Sequence, residues 1–172
     1  MYQKKLITLM FLLWFMVGSV AAKELQATLK LRDIRVEKTV DKGGDDVYFN
    51  ITQYSNLGES KENRVPIYPA HWLSKQVSGI KDLTLWQGVL QDEESIKLVI
   101  ALSDQELSPF EIDDLIGSAQ LTIRNHKGKL IKHWTVPILE EKDEVEMLKK
   151  GSPQRYIFKG ASSRYDVAFV VE

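Results

Sequence analysis

Two short stretches hold acids at spacings that could do chemistry. "DKGGDDVYFNI", Asp41 to Ile51, places Asp41, Asp45 and Asp46 around a glycine pair and then switches into alternating apolar residues. "SDQELSPFEIDDLIG" follows an apolar run and carries Asp104, Glu106, Glu111, Asp113 and Asp114 before a second one. One aspartate suffices to form a turn, so the others need a partner that offsets their mutual repulsion. Carboxylates spaced this way on a loop can converge on a hard cation such as calcium, which takes six to eight oxygens in irregular geometry. The plainer alternative is that aspartates at strand ends cap turns by accepting their own backbone N–H groups. An EF-hand is excluded, because counting from Asp41 puts Gly43 at the third position and Thr52 at the twelfth, where an acidic ligand and a bidentate glutamate belong.

Other chemistry finds little support. The chain has no cysteine, which removes thiol catalysis, disulfides and a lipidated cysteine together. His126 falls in a turn and His133 beside Trp134 on a strand, and both read as surface residues. His71, in "YPAHW", has aromatic neighbours that could line a pocket, but the preferred reading is a strand packing Tyr68 and Trp72 against the sandwich. Paired carboxylates could serve a glycosidase, but the aromatics of a sugar cleft are dispersed among strands instead. No nucleophile, base and orienting acid stand out, so the expectation is a binding protein and not an enzyme.

The elements that must position these acids are strands. Short runs of alternating apolar and polar residues recur between turn residues. "ELQATLKLRDIRVEK" puts Leu25, Ala27, Leu29 and Leu31 on one face and changes phase before Ile34 and Val36, which predicts a bend or bulge. "DVYFNITQY" sets Val47, Phe49 and Ile51 against Tyr48, Asn50 and Thr52. Further strands are expected at "RVPIYPAHW", "LTLWQGVL", "SIKLVIALSD", "SAQLTIRN", "KLIKHWTVPIL", "RYIFKG" and "RYDVAFVVE". Such a series predicts an all-β fold, a sandwich of two packed antiparallel sheets. "RNHKGKL" reads as a hairpin with positive φ at Gly128, and "KGASSRY" as a longer one around Gly160. "LEEKDEVEMLKK", Leu139 to Lys150, with acids early and lysines late, predicts one short helix in the C-terminal half, ended by Gly151 and Pro153. "SNLGESKENR", Ser55 to Arg64, is polar and reads as a loop.

On these residues the chain resembles the C2 domain, a calcium-dependent phospholipid-binding β-sandwich. "DDVYFNI" is similar to that family's strand-opening D-P-Y-V motif, with Asp46 at the aspartate and Tyr48 at the tyrosine, and Asp41 is similar to its earlier loop aspartate. "SDQE" resembles D-x-D with Asp104 and Glu106, and "DLIG" the closing motif with Asp114. Val47 stands where the family has proline, Glu106 where it has aspartate, and the second acidic loop is longer. The resemblance implies a C2-like sandwich in which Asp41, Asp45, Asp46, Asp104, Glu106, Asp113 and Asp114 surround calcium. It also implies an anionic phospholipid membrane surface as partner, with Phe110 of "LSPFEI" as a membrane contact. The alternative is a metal-free sandwich that binds a protein partner through a face or an edge strand.

The first 22 residues read as a secretory signal, with Lys4 and Lys5 as basic region, "LITLMFLLWFMVGSV" as apolar core and Ala22 as the cleavage position. Residues 23–172 then form one C2-like β-sandwich domain, secreted or periplasmic, with no membrane span after cleavage. Losing Lys4 and Lys5 turns 23 basic against 24 acidic residues into 21 against 24, a formal charge of −3 that is no footprint for nucleic acid. "NIT" at Asn50 is a glycosylation sequon only in a eukaryotic secretory route.

Overall fold

The structure, a computed structural model, describes residues 23–39, 43–56, 58–106, 112–136, 144–149 and 151–172, the backbone alone over 144–149. The expected signal segment, Asp41, Phe110 and Glu111 lie outside the described residues. Two antiparallel sheets pack face to face. One holds β5 (Lys81–Leu90), β1 (Leu25–Lys38), β11 (Ser163–Val171), β10 (Gln154–Gly160) and β9 (Glu144–Lys149), in that spatial order. The other holds β3 (Ser60–Val65), β2 (Asp46–Ser55), β6 (Ser95–Asp104), β7 (Asp114–His126) and β8 (Lys129–Thr135), with the two-residue β4 (Trp72–Leu73) paired to β2. A 3₁₀ segment, Ser74–Gly79, follows β4.

Alternation explains the core. Ala27, Leu29, Leu31 and Ile34 of β1 face Val47, Phe49 and Ile51 of β2, Leu98, Ile100 and Leu102 of β6, and Tyr165, Val167 and Phe169 of β11, all buried. The phase change in β1 is a register shift between Leu31 and Asp33, which returns Ile34 to the inner face as expected. Phe169 anchors the centre, stacked on Trp134 at 5.7 Å between ring centroids and edge-on to Phe49 at 6.0 Å.

Three expectations need correction. The helix at 139–150 is not formed where the chain is described, since Glu144–Lys149 is β9, paired with β10 in the register Val145↔Phe158 and Met147↔Tyr156. "EVEM" also alternates with period two, and an isolated helix of this length is marginal in water, so the ladder along the sheet edge decides. β3 runs through the stretch expected as a loop. It reads as polar because it is an edge strand exposed on both faces, where charge discourages edge-to-edge pairing. Conversely "RVPIYPAHW" is no continuous strand, because prolines at 66 and 69 cannot donate to a ladder: Arg64 and Val65 end β3, and pairing resumes only at Trp72.

Gly128 has the positive φ expected there, 74°, and Lys127 before it is also left-handed at 54°. In the β10–β11 hairpin the positive φ values belong to Ala161 and Ser162, not Gly160. Gly160 serves close approach instead, since a Cβ there would lie 2.5 Å from Leu115 O and 2.6 Å from Ile116 O.

At the end of the sandwich away from the acids, Asn125 ties three chain segments. Its Nδ2 donates to Lys23 O at 2.6 Å and Leu90 O at 3.1 Å, and its Oδ1 accepts from Gly128 N at 2.9 Å.

Candidate functional site

Three neighbouring strand ends bring the acids together. β2 begins at Asp46, β6 ends at Asp104 and β7 begins at Asp114, with Val47 opposite Asp104 and Asp104 opposite Asp114. The backbone N–H of Asp46 donates to Asp104 Oδ1 at 2.7 Å, and the N–H of Gln105 donates to Asp46 O at 2.8 Å. Asp104 therefore caps the start of β2 while holding its charge at the rim. Asp46 Oδ2 lies 3.4 Å from His71 Nε2 on the short segment leading into β4.

The second acidic loop is gathered by Asp113. Its Oδ1 accepts from the Glu106 N–H at 3.1 Å and its Oδ2 from the Tyr48 hydroxyl at 2.8 Å. Burial pushes the Tyr48 phenol up, and the bond to the Asp113 carboxylate raises it further. Asp46, Asp104, Glu106, Asp113 and Asp114 thus stand at one end of one sheet, as their spacing implied.

Asp45 departs from that group. Successive residues of an extended chain point opposite ways, and Asp45 turns into the sandwich, 1% exposed, while Asp46 reaches the rim. Its Oδ2 accepts from Ser163 Oγ and Tyr165 Oη, both at 2.7 Å, and its backbone N–H donates to Ser74 Oγ at 3.0 Å. Its Oδ1 is buried and has no hydrogen-bond partner among the described residues. The Tyr165 phenol is pushed well up, first by burial, then by Asp45, with Asp104 adding to the effect, so both carboxylates act on one hydroxyl. Gly44 makes this packing possible: its φ is +89°, and a Cβ would lie 2.4 Å from Ser74 Oγ. Gly44 therefore admits the 3₁₀ segment against the strand opening.

Sequence reasoning missed the residues beneath and beside the acids. Ser163 and Tyr165 lie 118 and 120 residues from Asp45, and no local pattern pairs them with it. Arg64 lies with its guanidinium carbon 3.5 Å from the centroid of the Tyr48 ring and 5.3 Å from that of Tyr68. Ile67, Tyr68 and Ile112 are 81%, 66% and 90% exposed. Ile67 and Tyr68 lie between two prolines, which was the available signal for a projecting loop.

Among the described residues, no three His, Asp or Glu side chains are grouped closely enough to hold one metal ion by themselves. Calcium also draws on backbone carbonyls and water, and its hard-oxygen preference fits the donor types present. Asp45 Oδ1, buried and without a hydrogen-bond partner among the described residues, is the atom that such an ion would satisfy.

No protein-family model matches the chain. No curated protein matches it either. Among solved structures it is similar to human GIVD cytosolic phospholipase A2, solved in complex with methyl gamma-linolenyl fluorophosphonate. The identity is 12% and the TM-score 0.40, over 86% of this chain and 17% of that one. The chain thus spans less than a fifth of that protein, and the functional reading rests on the site.

Proposed function

We propose that this protein is a C2-like binding module, secreted or periplasmic and not an enzyme, that takes up calcium at its acidic end and docks there on an anionic phospholipid surface. The observation carrying this reading is Asp45. A buried carboxylate with one unpartnered oxygen is costly, and a bound cation would offset that cost. Asp45 and Asp104 would hold the ion from below, with Asp46, Glu106, Asp113 and Asp114 supplying charge at the rim. Calcium would neutralise that rim and bridge it to phosphate. Exposed Ile67, Tyr68 and Ile112 at the same end suit the interfacial region of a bilayer.

A metal-free sandwich that binds a protein partner is the second reading. It is favoured by the donors already on these acids, since Asp104 Oδ1, both oxygens of Asp113 and Asp45 Oδ2 accept hydrogen bonds from the chain itself. Thermal unfolding separates the two, because a ligand that binds only the folded state stabilises it by mass action. Calcium at about 100 times its Kd adds roughly 2.7 kcal/mol, which raises Tm by roughly 5–10 °C in a domain of this size. Magnesium should do much less. An equal Tm in chelator and in millimolar calcium would refute the calcium site and leave the acids as caps.

A further inference from the structure

Arg64 sits on the edge strand β3, opposite Asn50 in register, and its guanidinium is set out at the acidic end on two tyrosine rings. Its Nη2 donates to Ala70 O at 3.4 Å and to Gln105 Oε1, both neutral acceptors. Its Nε is buried with no hydrogen-bond partner among the described residues. A guanidinium carries five N–H donors in a rigid fork that matches phosphate geometry; Nη2 and the buried Nε face the protein, so the Nη1 edge is the one a phosphate can meet.

The surroundings select the source of the phosphate. Tyr68 lies against Arg64, Arg64 against Tyr48, and the Tyr48 hydroxyl bonds Asp113, the neighbour of Ile112. Ile67 and Tyr68 are therefore exposed beside the guanidinium, and Ile112 is exposed next to Asp113 in the chain. A soluble anion makes no contact with such side chains, whereas a bilayer offers phosphate and apolar depth together. Asp113, the acid bonded to Tyr48, already accepts hydrogen bonds from the chain at both oxygens.

We propose that Arg64 binds the phosphate of an anionic lipid directly, with Ile67, Tyr68 and Ile112 entering the interface, so that the protein keeps a calcium-independent hold on the membrane. This rests on the membrane reading above.

The test is co-sedimentation of the purified protein with phosphatidylglycerol–phosphatidylcholine vesicles in excess chelator. Binding should persist there, be lost on phosphatidylcholine alone, and weaken roughly fivefold in Arg64→Gln, the effect of one basic side chain at an anionic surface. Ile112→Ser should weaken it as well. Arg64→Gln should keep whatever Tm shift calcium produces in the parent protein, which shows that its fold is intact. Binding seen only with calcium would overturn this inference and leave the calcium-dependent reading standing, whereas no binding in either condition would sink both. Displacement by millimolar inorganic phosphate with no effect of Ile112→Ser would identify a free-phosphate site and overturn the lipid assignment.

Discussion

Replacing Asn125 with alanine should cost this sandwich about 3–5 kcal/mol, although the residue is nowhere near the acidic end. Asn125 is 0% exposed and its side chain makes three hydrogen bonds, to Lys23 O, Leu90 O and the Gly128 N–H. Its own backbone is locked as well, the N–H donating to Glu94 O at 3.0 Å and the carbonyl accepting from Glu93 N at 2.8 Å. Water can reach Lys23 and Gly128 after truncation, so each of those bonds counts at its net value of about 1 kcal/mol. Leu90 is buried, and leaving its carbonyl short of a donor costs about 1–3 kcal/mol. Urea unfolding followed by tryptophan fluorescence measures the sum as a lowered midpoint at unchanged m, with Tm down by roughly 6–20 °C. A loss below about 1 kcal/mol would refute the reasoning, because it would mean that the tie contributes nothing beyond a surface turn. Asn125→Asp supplies the sign. The introduced carboxylate would face two carbonyl oxygens, which raises its pKa in the folded state above the ordinary value of about 3.9. Folded-state preference for the protonated form is then present below that ordinary value and lost as pH rises through the raised one. Asn125→Asp should therefore be weaker than Asn125→Ala at neutral pH and recover on acidification.

Asp104→Asn can keep the acceptor for the Asp46 N–H while removing charge from the rim, so it should fold normally and weaken calcium at least tenfold by calorimetry; unchanged affinity would show that Asp104 is only a cap. Three of the six tyrosines, Tyr48, Tyr156 and Tyr165, are pushed up, in each case chiefly by burial. Raised phenols stabilise the fold below their ordinary pKa of about 10, a contribution lost as pH rises through the raised values. Near-ultraviolet absorbance should therefore show these three ionising only together with alkaline unfolding, and six phenols titrating reversibly near pH 10 would contradict the burial argument. Gly160→Ala forces a methyl against two backbone oxygens and should cost about 1–3 kcal/mol in urea, with neutrality showing that the sheets can part there.

What the sequence determined by itself is local. Period two placed the strands and assigned their inner faces, the phase change located the β1 bulge, and Lys127–Gly128 carried its own turn chemistry. The acids at the ends of β2, β6 and β7 were legible because a strand end and its loop are contiguous in the chain. The tertiary structure decided which strands pair, and this overruled the helical charge pattern of 139–150 where β9 forms and turned a polar stretch into the edge strand β3. It also parted Asp45 from Asp46. The alternation that separates them is local, but the hydroxyls of Ser163 and Tyr165 that receive Asp45 come from β11, and their arrival depends on β11 packing across the core. A periodic pattern states which side of a strand is apolar; only the assembled sandwich states what lies on the other side of it.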